Sequence, residues 1–252
     1  ELAALIAHDA CKGLDHAHKR IDSEGRPYAI VHRDISPSNI LIAYEGAVKI
    51  ADFGIAKAES NAYRTRDGVL KGKFEYMSPE QVNGLELDGR SDLFSVGILL
   101  WEMLAGRRLF KTDSDVQTLD RIRKGDIPRL SAVSGRVPEA LEAIVFDALG
   151  IDRDQRYPDA ATMQADLANF LAPRSLDELR LELAKFMKEI FAEEREAERM
   201  SLIRGTSIAQ RMHAEAPEGG WDAHPTGSTL KPAPAPQQAR GGLAVGFAAL
   251  LM

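Results

Sequence analysis

Cysteine is nearly absent from this sequence, with Cys11 the single instance. A disulfide framework and a thiolate zinc site are both excluded. Cys11 lies in an apolar-periodic segment and reads as a small buried residue of a protein from a reducing compartment. A surplus of positive charge is also lacking: Lys+Arg 32 stand against Asp+Glu 38, a net charge of -6. No global basic field calls for a nucleic-acid partner. Long apolar runs are missing as well. The nearest, "GGLAVGFAALLM" at residues 241–252, is shorter than the roughly 20 residues of a membrane span. Two readings stay open: if the chain continues, the start of a transmembrane helix that anchors the protein on the cytoplasmic face, or a truncated, weakly ordered tail. No signal peptide is legible, and the chain opens inside a helical pattern at Glu1, so it reads as part of a longer protein.

What is present is a globular composition, 44% hydrophobic and 28% charged, with room for one full core. Leu2, Leu5, Ile6, Leu14 and His18 fall at helical spacing and predict a helix from Glu1 to about Ile21, ended by the loop "DSEGRPYA". "NILIAYEGAVKIADF" alternates around Glu45-Gly46 and predicts a short hairpin. Residues 59–72 read as a long polar loop. Pro79 opens a short helix, and further helices are expected at about 91–105, 114–124, 138–149 and 158–171. The expected fold class is α+β, mainly helical.

Four units follow from these patterns. Residues 1–172 form the main domain. Residues 173–212 form a charged amphipathic helix whose stripe Leu176, Leu179, Leu183, Phe186 and Ile190 is too short for a long coiled coil. Residues 213–240 are a Pro/Ala-rich linker, and residues 241–252 are the apolar segment.

One stretch stands out from a simple turn. "IVHRDISPSNIL" places a guanidinium, a carboxylate and an amide between apolar strand ends. Asp34 or Asn39 alone would be a residue capping its own turn. Read with "DFG" at Asp52 to Gly54, "YMSPE" ending at Glu80, and "SDLFSVGILLWEML", the segment resembles the C-terminal lobe of protein kinases. "HRDISPSN", "KIADFGIAKA" and "YMSPEQ" resemble most the bacterial eukaryotic-like serine/threonine kinases of the receptor type.

The resemblance implies ATP and Mg²⁺ as cofactors and a protein serine or threonine as acceptor. Asp34 would orient the attacking hydroxyl and accept its proton. Asn39 and Asp52 would supply the hard oxygen ligands that Mg²⁺ prefers. Leu41 matches the aliphatic floor under adenine. His32, Phe53 and Gly54 have structural places around Asp34 and Asp52. Arg33 would pair with a loop phosphate, for which Thr65 is the first choice and Ser60 the second. Glu80 and Arg156 match a buried ion pair, and Asp92 matches the helix carboxylate that holds the catalytic-loop backbone.

The sequence departs from the family at two points: Ser36 stands where a lysine is usual, and Lys73 where a threonine is usual. One reading moves the positive charge, with the Lys73 ammonium reaching toward Ser36 and Asp34. The other leaves Lys73 as a surface lysine facing the substrate. The Gly-rich loop, the strand lysine and its glutamate partner are not found in these 252 residues. The span therefore reads as a C-terminal lobe that needs an N-terminal lobe as its partner, inactive alone. Two rivals remain: a small-molecule phosphotransferase, which would lack the "SPE" platform, and a phosphotransfer-dead scaffold that binds partners through this lobe.

Overall fold

The computed structural model describes residues 1–53, 74–135, 137–201 and 203. Gly54, Ser60, Thr65 and Lys73 lie outside the described residues, as do the expected linker at 213–240 and the apolar segment at 241–252.

Among the described residues the fold is eight α-helices and one two-stranded sheet. Helix α1 (Leu2–His18) buries Leu5, Ile6, Cys11 and Leu14 on one stripe and packs on α3 (Gly89–Ala105) and α7 (Ala160–Leu171). Burial pushes the Cys11 thiol up to about 12, with the Asp15 charge adding to it, so it is an inert core residue. Helix α3 is buried on nearly every side, from Ser91 to Glu102, as expected of a helix that is apolar all round. It is the central pillar, with α6 (Glu139–Ala148) against one flank. Short helices α2 (Pro79–Val82) and α5 (Leu130–Val133) and helix α4 (Asp115–Lys124) complete the lobe.

Local chemistry sets most boundaries. Asp88, Ser114, Asp159 and Ser175 each accept a backbone N–H at a helix start. Gly106 and Gly125 end α3 and α4 at φ 65°, a conformation open to glycine. The antiparallel pair β1 (Ile40–Ile42) and β2 (Val48–Ile50) has the register Ile40↔Ile50, Leu41↔Lys49 and Ile42↔Val48. No helix among the described residues is long and apolar enough to cross a membrane.

Two local expectations need correction. Helix α1 stops at His18 rather than Ile21, because the chain folds back at once. Ile21 bridges Pro27, and the Asp22 carboxylate accepts the N–H groups of Glu24 and Arg26. The stripe of α8 (Leu176–Ile190) also shifts. Leu179, Leu183, Ala184 and Met187 are buried, with Phe191 just beyond, whereas Phe186 and Ile190 are half-buried. Steps of four residues advance about 40° beyond a full turn, so the buried line drifts around the helix as it crosses α1. Residues 192–201 continue as helix and are exposed.

Candidate active site

The polar segment from His32 to Asn39 is a loop that ends in a single 3-10 turn (Pro37–Asn39) and is pinned from below by α3. Asp92, 1% exposed, accepts the N–H of His32 (2.8 Å) and the N–H of Arg33 (2.9 Å) on its two oxygens. His18, from the end of α1, donates Nε2–H to the same carboxylate at 2.8 Å. Three donors on one buried carboxylate hold Arg33 at φ 65°, a left-handed conformation that costs roughly 1 to 2 kcal/mol for a side chain with a Cβ. The chain thus turns sharply just before Asp34.

The loop is tied to the hairpin by its own side chains. The Asn39 amide donates to the Asp34 carbonyl at 2.6 Å, and Ala51 N–H donates to the Asn39 carbonyl at 2.9 Å. His32 is fully buried, packs its ring 4.5 Å from the Phe53 ring at a tilt of 51°, donates Nε2–H to the Ala51 carbonyl (3.1 Å) and accepts the Asp34 N–H on Nδ1 (3.3 Å). Asp52 follows at φ 56° and is exposed. Asp34, Asn39, His32 and Phe53 therefore form one knot, with Asp52 between Ala51 and Phe53 at the same hairpin end and Leu41 half-buried on β1 beside it. Ser36 is 3% exposed, and its hydroxyl meets the Ser38 hydroxyl at 3.0 Å.

The donor set fits Mg²⁺. Asp52 offers an exposed carboxylate, and the Asn39 side-chain oxygen accepts only a long bond from the Ser38 hydroxyl at 3.3 Å. No group of three or more His, Cys, Asp or Glu among the described residues forms a closed metal cage. Mg²⁺ commonly keeps its other positions for water and phosphate oxygens.

A second knot lies behind the loop. Arg156 grips Glu80 with two bonds, Nη1 to Oε1 at 2.7 Å and Nη2 to Oε2 at 2.8 Å, while Ser91 donates to Glu80 at 2.5 Å. Burial pushes the Glu80 carboxyl up, but the bonds from Arg156 and Ser91 and the guanidinium charge outweigh it and hold the group below its ordinary value. The neighbouring Gln81 donates its amide to the Arg33 carbonyl at 2.9 Å, joining α2 to the catalytic loop.

The sequence reading missed His18, Gln81 and Glu102. For Gln81 a signal existed, since Ser78-Pro79-Glu80-Gln81 has the spacing of a capping box, which the structure forms. For Glu102 the signal is a carboxylate inside the apolar run "GILLWEML". Glu102 is fully buried on α3 and accepts the Tyr76 hydroxyl (2.8 Å) and the Leu109 N–H (2.9 Å), while Arg108 lies between it (3.2 Å) and Glu75 (3.4 Å). Burial pushes the Glu102 carboxyl up to about 8; the Leu109 bond opposes this and the Glu75 charge adds to it. The folded state thus holds this proton more tightly than the unfolded chain, and its contribution is complete below about 4.5 and lost as pH rises toward 8. Glu102→Gln should flatten the melting curve against pH, gaining roughly 5 °C on the parent between pH 5 and pH 8. Parallel curves for the two proteins would show that Glu102 is ionised throughout.

Beside the hairpin, α1 and β2 border a groove of about 950 Å³ lined by apolar groups such as Ala17, Val48, Ile50 and Phe53, and by Lys12, Lys49 and Arg180.

Comparison with known proteins gives a consistent picture. The protein kinase domain family matches residues 1–203. The tyrosine-protein kinase MasK of Myxococcus xanthus is 42% identical over 191 residues, 76% of this chain and 30% of that protein. The serine/threonine-protein kinase PknL of Mycobacterium tuberculosis is 41% identical over 169 residues, 67% of this chain and 40% of PknL. Serine/threonine-protein kinase PknB of Mycolicibacterium smegmatis is 38% identical over 168 residues, 66% of this chain and 25% of PknB. The chain thus spans well under half the length of these relatives. Among solved structures, the twitchin kinase region from C. elegans shares the fold, with a TM-score of 0.51 at 23% identity over 65% of this chain and 27% of that one. With the catalytic-loop geometry and a match over most of its length, the chain belongs to the protein kinase family, among its bacterial eukaryotic-like members.

Proposed function

We propose that this chain is the catalytic lobe of a serine/threonine kinase that moves the γ-phosphoryl group of ATP to a protein hydroxyl. The observation that carries the reading is the knot itself. Asp34, Asn39 and Asp52 meet at one hairpin end, and the backbone beneath Asp34 is held by Asp92. Asp34 orients the acceptor hydroxyl and takes its proton. Asn39 and Asp52 hold Mg²⁺, which neutralises charge on the phosphate oxygens when bound. Leu41 lies under the adenine, and Arg33 takes a loop phosphate on Thr65 or Ser60. Lys73 supplies the positive charge that Ser36 lacks.

Phosphate cover comes from an N-terminal lobe that carries a Gly-rich loop and a lysine, so residues 1–252 by themselves turn over poorly. The open groove beside β2 suits the docking of such a lobe, because its apolar lining is otherwise left to water.

The test is phosphate transfer by the full-length protein with ATP and Mg²⁺, followed by phosphoamino-acid analysis. Phosphoserine or phosphothreonine, lost on EDTA addition, is expected. Phosphotyrosine alone would redirect the acceptor assignment, and nucleotide-independent partner binding without transfer would favour the scaffold.

A further inference from the structure

The hairpin that carries the metal-binding groups has a second end. Asn39 enters β1, and Asp52 leaves β2 after Ala51. At the far side the turn closes with Ala43 N–H donating to Ala47 (2.9 Å) and its partner Ala47 leading into Val48. That turn is seated on α8. Gly46, at φ +82°, lies so close to the helix that an added Cβ would collide with the Arg180 carbonyl oxygen and stand 3.2 Å from the Ala184 nitrogen. Tyr44 meets the edge of Phe191 at 6.5 Å, and the Arg195 guanidinium covers its ring at 5.2 Å. Arg180 reaches across to Asp9 on α1 at 3.0 Å.

We propose that α8 is a positioning element of the active site: by clamping the hairpin turn it sets where Asn39 and Asp52 stand relative to the Asp34 loop. This rests on the phosphotransfer reading above. The hairpin is short, fully paired, and about 13 Å from Ala43 at the turn to Asn39 at roughly 3.3 Å per residue. It therefore transmits a displacement of the turn to both ligands. The Asp34 loop is tied to the hairpin through Asn39 and His32 but is also anchored on α3 by Asp92, so a displaced turn works against that anchor and strains the joint between Asn39 and Asp34. Mg²⁺ tolerates little error in its near-octahedral shell, so sub-ångström shifts change nucleotide affinity.

Phe191→Ser, Arg180→Ala and Gly46→Ala in the full-length protein test this. Each should raise the KM for Mg²⁺-ATP about fivefold to tenfold with kcat changed less than threefold, and Phe191→Leu and Arg180→Lys should restore most of the affinity. A merely structural role would lower the active fraction, and so kcat, with KM unchanged. Amide exchange in the 252-residue chain supplies a readout without activity: Phe191→Ser should speed exchange at residues 40–50 but not in α3. Unchanged KM and unchanged hairpin exchange in an active, folded Arg180→Ala or Phe191→Ser protein overturn this inference alone. A parent protein without Mg²⁺-dependent transfer overturns the function reading and this inference with it.

Discussion

Asp34→Asn is expected to lower phosphate transfer by the full-length protein about 10²- to 10⁴-fold, the range of a lost general base, with the melting temperature essentially unchanged. Two of the residue's contacts are made by its backbone. Its N–H donates to His32 Nδ1 and its carbonyl accepts the Asn39 amide, and neither uses the carboxylate. Asparagine is nearly isosteric and keeps both, but its amide cannot take the proton of the acceptor hydroxyl. The loss should fall on kcat more than on KM, because the contact matters as the hydroxyl attacks. Equal phosphate incorporation by variant and parent would end the assignment of Asp34, and a matching loss of thermal stability would reassign it as structural.

The largest effect on stability should come from Arg156→Ala, about 3 to 5 kcal/mol, or roughly 10 °C in melting temperature. Arg156 is among the buried charges of the described residues, and it does more than pair with Glu80. It donates to the carbonyls of Gly150, Ile151 and Arg90, and its guanidinium lies 4.8 Å from the centre of the Phe94 ring. Removing it strands Glu80 at 4% exposure with only the Ser91 hydroxyl as a side-chain donor. The double variant Glu80→Ala/Arg156→Ala should lose less than the sum of the singles, because the stranded carboxylate is gone. The pH dependence carries a definite sign. The folded Glu80 carboxyl is held below its ordinary value, so its contribution is present above the ordinary range and is lost as pH falls through the lowered one. The gap between parent and Arg156→Ala should therefore narrow on acidification below about pH 4.5. A cost under about 1 kcal/mol at neutral pH would mean that water reaches Glu80.

Much of the site was legible in the linear order. Asp34, Asn39 and Asp52 carry unusual chemistry at recognisable spacing, and the hairpin between them alternates around a glycine turn. Helix starts were readable wherever a Ser or Asp caps the first turn, as at Ser114, Asp159 and Ser175. The drift of the α8 stripe was not, because an isolated helix leaves its crossing angle open and only the partner surface selects which neighbouring positions are covered. Met187 and Phe191 are buried more deeply than Phe186 and Ile190, which pack at the edge of the core, for that reason.

Sequence by itself determined which atoms are available and how local chain segments fold: the carboxylate and amide of the catalytic loop, the capped helices, the glycine turn at Gly46. Those features depend on groups a few residues apart, whose contact follows from backbone geometry alone. Only the tertiary structure decided that His18 and Asp92, 74 residues apart, share one hydrogen bond, that Gln81 holds the Arg33 carbonyl, and that burial pushes the Glu102 carboxyl above its ordinary range. Hydrogen-bond geometry and burial are properties of distances in space, and those distances exist only once α3 stands at the centre with the catalytic loop and the end of α1 brought against its first turn.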